Sequence, residues 1–245
     1  MSPFRRRKSV VAMAAAHDAG AADRLLSAAN AGPLLVEQFR NLAASLNRLH
    51  QEGKLRTLLV TSPAPGDGKS NVAINLALTL SDSYRRKVLL VDADMRRPTL
   101  HRLFGVHATP GLLEALRADV EGDPVVHAVN DKLDLLTAGR QQPNPVGDLS
   151  SARLPRLISS AASRYDWVIV DSPPVAGLAD ARIVAETVDA AVLVIRAGVT
   201  QFPEVQASVD ALGPERILGV ILNAVDASEI RREDYYSHYY GASDE

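Results

Sequence analysis

The stretch VTSPAPGDGKSNVAINLAL, residues 60–78, decides the fold. It opens on a β-rich run, passes through a loop with glycines at 66 and 68, and continues from Lys69-Ser70 into an amphipathic helical pattern. Strand, glycine loop, Lys-Ser and helix in that order form a phosphate-binding loop. Gly66 and Gly68 let backbone amides approach phosphate oxygens with no Cβ in the way. The helix N-terminus adds free N–H groups and its dipole. Lys69 is placed to reach the β- and γ-phosphates, and the Ser70 hydroxyl to ligate Mg²⁺. The pattern GxxxxGK[ST] asks for glycine at position 63, where this chain carries Pro63.

Further along, short apolar runs alternate with helical patterns. The runs are 55–62, 87–94, 133–139, 167–174, 190–198 and 217–223; the helical stretches are 69–81, 111–119, 153–164, 179–187 and 202–212. Several runs are nearly continuous Val, Ile and Leu, as expected of strands buried on both faces. The alternation predicts one α/β domain: a doubly wound, mostly parallel sheet with helices on both faces. Before it, LLVEQFRNLAASLNRL (34–49) places Leu35, Phe39, Leu42, Leu46 and Leu49 on one stripe, which predicts a helix over 34–50. Glu37 and Arg40 lie on another face, free to pair with each other or with a neighbouring subunit.

Two acidic elements complete the candidate site. VLLVDADMRRP (88–98) puts Asp92 and Asp94 at the carboxyl end of a strand, and WVIVDSPP (167–174) does the same for Asp171. Ligands of open α/β sheets bind beyond those ends. A lone Asp there reads equally well as a turn or cap residue. Three carboxylates behind apolar strands are better read as converging on the loop, where Mg²⁺ favours a few carboxylates with water and phosphate oxygens.

Composition sets the outer bounds. The 245 residues are 47% hydrophobic and 23% charged, which supports a sizeable core and excludes wholesale disorder. A net charge of −2 gives no reason to expect nucleic acid as a partner. Without cysteine, neither a disulfide framework nor a thiolate metal site is available, and the cytosol is the expected compartment. No stretch approaches the roughly 18 apolar residues of a membrane span. Residues 1–33 hold a basic cluster, Arg5 to Lys8, then a short Ala-rich run that loosely resembles a signal peptide; they are read as a flexible basic N-terminal arm. The sharper alternative is contact with an anionic inner leaflet, at about 1 kcal/mol per basic residue. At the other end, RREDYYSHYYGASDE gathers Tyr235, Tyr236, Tyr239 and Tyr240 within six residues.

These motifs together resemble the bacterial tyrosine kinases of capsule and exopolysaccharide synthesis, P-loop proteins unrelated to eukaryotic kinases. PGDGKS corresponds to Walker A, VLLVDADMRRP to the family's extra A′ element, VIVDSPP to Walker B, and 229–245 to its tyrosine-rich tail; LLTAGRQQPNPVGDLSS and LGVILNAV also match. The resemblance covers roughly 34–240 and implies a kinase domain over 34–228 that uses ATP and Mg²⁺. It implies a nucleotide site from Gly66, Asp67, Gly68, Lys69, Ser70 and Asn71, with Asn223 at the adenine. Ser70, Asp94 and Asp171 would serve the metal, and Asp92 would accept the proton of an incoming tyrosine. The four tail tyrosines would be phosphoacceptors, used in trans by a self-associating kinase and cleared by a tyrosine phosphatase. A membrane-bound polysaccharide co-polymerase would act as adaptor and bring a cytoplasmic chain to the inner face of the membrane. Relatives often carry Glu-x-x-Arg-x-x-Arg for ring assembly; here Glu37 and Arg40 match and Ala43 does not. Two other classes compete: the partition and division-site switch ATPases, whose additional loop lysine is replaced here by Ala64, and an ATP-binding regulatory module without transfer activity.

Overall fold

Strands β2 (Thr57–Thr61), β3 (Val88–Asp92) and β6 (Trp167–Asp171) are buried along their whole length. They sit side by side in the order β3-β6-β2 at the centre of the computed structural model, which describes residues 5–7, 33–117 and 124–225. β7 (Ala190–Arg196) and β8 (Ile217–Asn223) extend the sheet beyond β2. β5 (Leu133–Leu136), β4 (Val125–Ala128) and β1 (Arg5–Arg7) extend it beyond β3. All neighbouring pairs are parallel except β4 with β5. There the chain reverses at Asn130, whose side-chain oxygen accepts from the amides of Lys132 (2.8 Å) and Leu133 (2.7 Å).

The period of two along each strand divides the core into layers. Leu59, Leu89, Val91, Val168, Val170 and Leu193 face α4 (Leu112–Arg117), α6 (Arg153–Ala162), α7 (Asp180–Ala185) and α8 (Phe202–Leu212). Leu58, Val60, Leu90, Trp167, Ile169 and Val194 face α1 (Pro33–Gln51), α2 (Lys69–Asp82) and the short α3 (Leu100–Leu103). Another one-turn helix, α5 (Val146–Leu149), follows β5. The doubly wound architecture and all six sequence-predicted strands are therefore present.

Departures from expectation are confined to short pieces. β4, α3 and α5 have four residues each, too few to show a period. In the basic arm, Arg5–Arg7 pair with Val125–His127; the remainder of residues 1–32 and the tail from 226 lie outside the described residues. α1 places Phe39, Ala43 and Leu46 in the core, while Glu37 and Arg40 pair at 3.5 Å on the exposed face. Position 43 is thus a core contact in this chain. Among the described residues no helix is long and apolar enough to cross a membrane.

Leu58 is fully buried in the central strand β2. Leu58→Ala should lower stability by about 2–5 kcal/mol. Urea unfolding checks this: the midpoint should fall with an unchanged slope.

Candidate nucleotide and carboxylate site

The loop between β2 and α2 is shaped by two glycines in the left-handed region, Gly66 at φ +91° and Gly68 at φ +96°. Position 68 has a second constraint: a Cβ there would strike the side-chain amide of Asn223. Gly68 also caps α2, its carbonyl accepting from the Val72 amide at 3.0 Å, and no side chain caps the helix start. The first amides of α2, which include those of Ser70 and Asn71, are left available to an anion.

Asp67 uses its carboxylate on the loop itself. One oxygen accepts from the Ala64 amide at 2.9 Å and the other from the Thr200 hydroxyl at 2.8 Å. Asn223, placed against adenine by the resemblance, donates its amide to the Asp67 carbonyl at 2.8 Å. Both residues therefore brace the loop from β7 and β8. Each Asp67 carboxylate oxygen thus has a partner within the protein, and the Asp67 backbone is part of the loop.

Asp92 and Asp171 are register partners on adjacent strands, and Asp94 lies two residues beyond. The Lys69 ammonium sits between the strands, 3.2 Å from Asp94, 3.9 Å from Asp171 and 3.2 Å from the Ser70 hydroxyl. Burial opposes the charge of Lys69, but Asp171 and Asp94 outweigh it and hold the ammonium above the usual lysine range. Burial, reinforced by the Asp171 charge, pushes Asp92 up to about 8. Three backbone amides partly oppose this: Asp94 donates to one Asp92 oxygen at 3.1 Å, and Thr99 (3.2 Å) and Leu100 (3.1 Å) donate to the other.

Asp171 is pushed up to about 6 by burial, with Lys69 the main opposing influence. The Ser70 hydroxyl is close enough to favour its ionised form without meeting hydrogen-bond geometry. Both Asp171 oxygens are buried without a hydrogen-bond partner. Such orphaned oxygens beside a serine hydroxyl fit a hard cation completed by water and phosphate oxygens. Among the described residues no group of three or more His, Asp or Glu could hold a metal ion. Asp94, expected at the metal, is engaged by Lys69.

Sequence reading missed three supports. Arg96 makes a bidentate pair with the buried Asp180 of α7, at 2.6 and 3.1 Å, and fixes the segment after Asp94. Its place in DADMRRP was the available signal. Glu114 receives the amides of Gly111 (2.8 Å) and Arg140 (3.2 Å), and Thr200 holds Asp67. No local pattern marks either. The four tail tyrosines, 235–240, lie outside the described residues.

Two outcomes test this geometry. Gly68→Ala should displace Asn223 and cost about 1–2 kcal/mol in the left-handed backbone, lowering affinity for Mg-ADP roughly tenfold by calorimetry. The second concerns pH. A carboxyl raised on folding gives its full stability below its unfolded value near 3.8 and loses it as pH rises through about 8. Asp92→Asn removes that loss but forfeits a backbone hydrogen bond, worth about 1 kcal/mol. In chelator-treated buffer its melting deficit against wild type should be larger at pH 5 than at pH 8 and shrink steadily between them.

Comparison with known proteins gives the same assignment. The family model described as "ParA: NUBPL iron-transfer P-loop NTPase" matches residues 55–224. Tyrosine-protein kinase YwqD of Bacillus subtilis (strain 168) is 36% identical over 203 residues, covering 82% of this chain and 85% of the relative. Tyrosine-protein kinase wzc of Salmonella typhimurium (strain LT2) is 34% identical over 90% of this chain, which spans only 31% of that longer protein. The kinase domain of Escherichia coli tyrosine kinase ETK superposes with a TM-score of 0.73 at 36% identity, covering 78% of this chain and 76% of that one. With the phosphate loop, the paired strand-end carboxylates and these relatives together, the chain belongs to the bacterial tyrosine-protein kinases, built on the ParA-like P-loop NTPase fold.

Proposed function

We propose that this chain transfers the γ-phosphoryl group of ATP to tyrosines of its own C-terminal cluster, Tyr235, Tyr236, Tyr239 and Tyr240, presented by a neighbouring copy. The observation that carries the reading is Asp92. Asp92 is the register partner of Asp171 at the strand ends, and the cationic charge of Lys69 and of a bound Mg²⁺ would favour its ionised form, in which it can accept the phenolic proton. Asp92 takes the phenolic proton as the tyrosine oxygen bonds to the γ-phosphorus and the bond to the β-phosphate oxygen breaks, releasing ADP.

Lys69 neutralises phosphate charge, and the amides of Gly66 to Asn71 orient the phosphates. Ser70 and Asp171 would hold Mg²⁺, with Asp94 beside them on Lys69, and the bound ion would supply electrostatic stabilisation of the transferring group. Asn223 braces the loop through the Asp67 carbonyl and would meet the adenine base. Glu37 and Arg40 offer a contact for assembly, and tethering in an oligomer raises the tail's effective concentration.

Four phosphotyrosines would add roughly −6 to −8 charges to a tail already rich in acid. This load loosens the oligomer, and a tyrosine phosphatase resets it. By this cycle the chain regulates polymerisation and export of an exopolysaccharide or capsule, held at the inner membrane face by a co-polymerase adaptor. A second reading, a partition-type switch ATPase, draws on the ParA-type family match.

Intact mass after incubation with Mg-ATP separates the two, with and without an adaptor tail. Stepwise phosphate additions in wild type that vanish in Lys69→Met and in the variant with all four tail tyrosines changed to Phe are expected. Phosphate release from ATP without any mass gain on the protein, adaptor present, would make it a switch ATPase.

A further inference from the structure

Two arginines on loops at the carboxyl end of the sheet, Arg97 and Arg140, have guanidinium groups without a hydrogen bond or ion pair among the described residues. The Arg97 amide donates to Asp94 Oδ1 at 3.0 Å, and the other Asp94 oxygen is 3.2 Å from Lys69. Arg140 comes from the loop after β5. Its neighbour Gln141 donates a side-chain N–H to the Arg96 carbonyl at 2.7 Å, and the Gln142 amide donates to the Met95 carbonyl at 2.8 Å. The two loops therefore run side by side across the carboxyl end of the sheet.

Both arginine side chains are exposed, and among the described residues neither forms an ion pair. Arg96 and Arg117 nearby are each committed to a carboxylate through two hydrogen bonds. The backbones of Arg97 and Arg140 are structural, holding Asp94 and Glu114. Their cationic heads are not.

The acceptor segment supplies the matching charge. Glu233 and Asp234 immediately precede Tyr235, behind Arg231 and Arg232; with Glu229, Asp244 and Glu245, residues 229–245 hold five acids against two arginines and stay net negative. Such a segment approaches a site built on three aspartates, and like charges facing each other work against the correct partner. Cations at the rim reverse that. In an extended peptide successive residues are ~3.3 Å apart and alternate in face, so the acid two places before a tyrosine lies about 7 Å along the chain on the tyrosine's own side, and the acid one place before it points the other way. Arginine's planar fork matches a carboxylate with two parallel hydrogen bonds.

We propose that Arg97 and Arg140 form a recognition site for acidic residues on the N-terminal side of the acceptor tyrosine, so that the substrate class is an acidic tyrosine-containing peptide. This rests on the kinase reading but is testable apart from it. The background is the full chain with its four tail tyrosines changed to Phe, Glu233→Gln and Asp234→Asn, which removes competition in cis. The probes are two fluorescent peptides of residues 229–245, one native and one with Glu233→Gln and Asp234→Asn, titrated with Mg-ADP present at low salt.

The native peptide should bind about tenfold more tightly, and raising the salt should shrink that ratio. Arg97→Gln with Arg140→Gln should abolish the preference with the melting temperature held. A preference that survives the double variant overturns the proposal. So does a loss of Mg-ADP affinity with the peptide ratio intact, which would assign the arginines to nucleotide. Selective binding without phosphate transfer would sink the kinase reading and leave this site standing; transfer without selectivity would do the reverse.

Discussion

Three carboxylates and one ammonium share the space beyond β3 and β6, and the rest of the site is arranged around that imbalance. Isolated charges in so buried a place would cost several kcal/mol each. Lys69 relieves Asp94 and Asp171 directly, and the backbone around Asp92 supplies three amides. Relief is incomplete, so Asp92 and Asp171 are held above the ordinary carboxylate range. The unrelieved charge fits a cation on one side and a proton on the other, as phosphoryl transfer to a hydroxyl requires. The opposite end of the sheet shows the contrast. There the exposed Asp189 and the half-buried Asp166 receive backbone amides at the starts of β2 and β3, where water can share their charge.

The phosphate loop depends on that arrangement from above. Its glycines allow the backbone path but do not fix it, because flexible residues adopt many shapes. Fixing comes from Asp67, held by Ala64 within the loop, by Thr200 after β7 and through its carbonyl by Asn223 at the end of β8. A binding loop held from within and by two further elements is preorganised for its anion, and preorganisation is where most catalytic electrostatics originates.

Much of this was legible in the sequence, for physical reasons. Strands buried on both faces must be apolar throughout, so β2, β3 and β6 announced themselves. The carboxylates at their ends could be placed because a parallel sheet puts its loops at one edge. What stayed hidden depends on partners far away in the chain. The Asp67 carboxylate looks free until Thr200 is seen against it, and Arg96 looks like a free cation until α7 brings Asp180 beneath it. Ala43 is similar: as a motif position it looks like a lost arginine, and in the packed helix it is core. Pieces of four residues, such as β4, are too short for a period of two to stand out.

The brace on Asp67 has a temporal side. The loop at 66–70 is made early in synthesis, yet its contacts to Thr200 and Asn223 span 133 and 156 residues. Closing so long a chain segment carries an entropy penalty that must be met before the contact stabilises anything. A nascent chain therefore exposes the phosphate-binding sequence long before it can hold that shape. Nucleotide binding becomes a property of the completed sheet, so a ribosome-bound or truncated chain lacking β8 has the motif without the site.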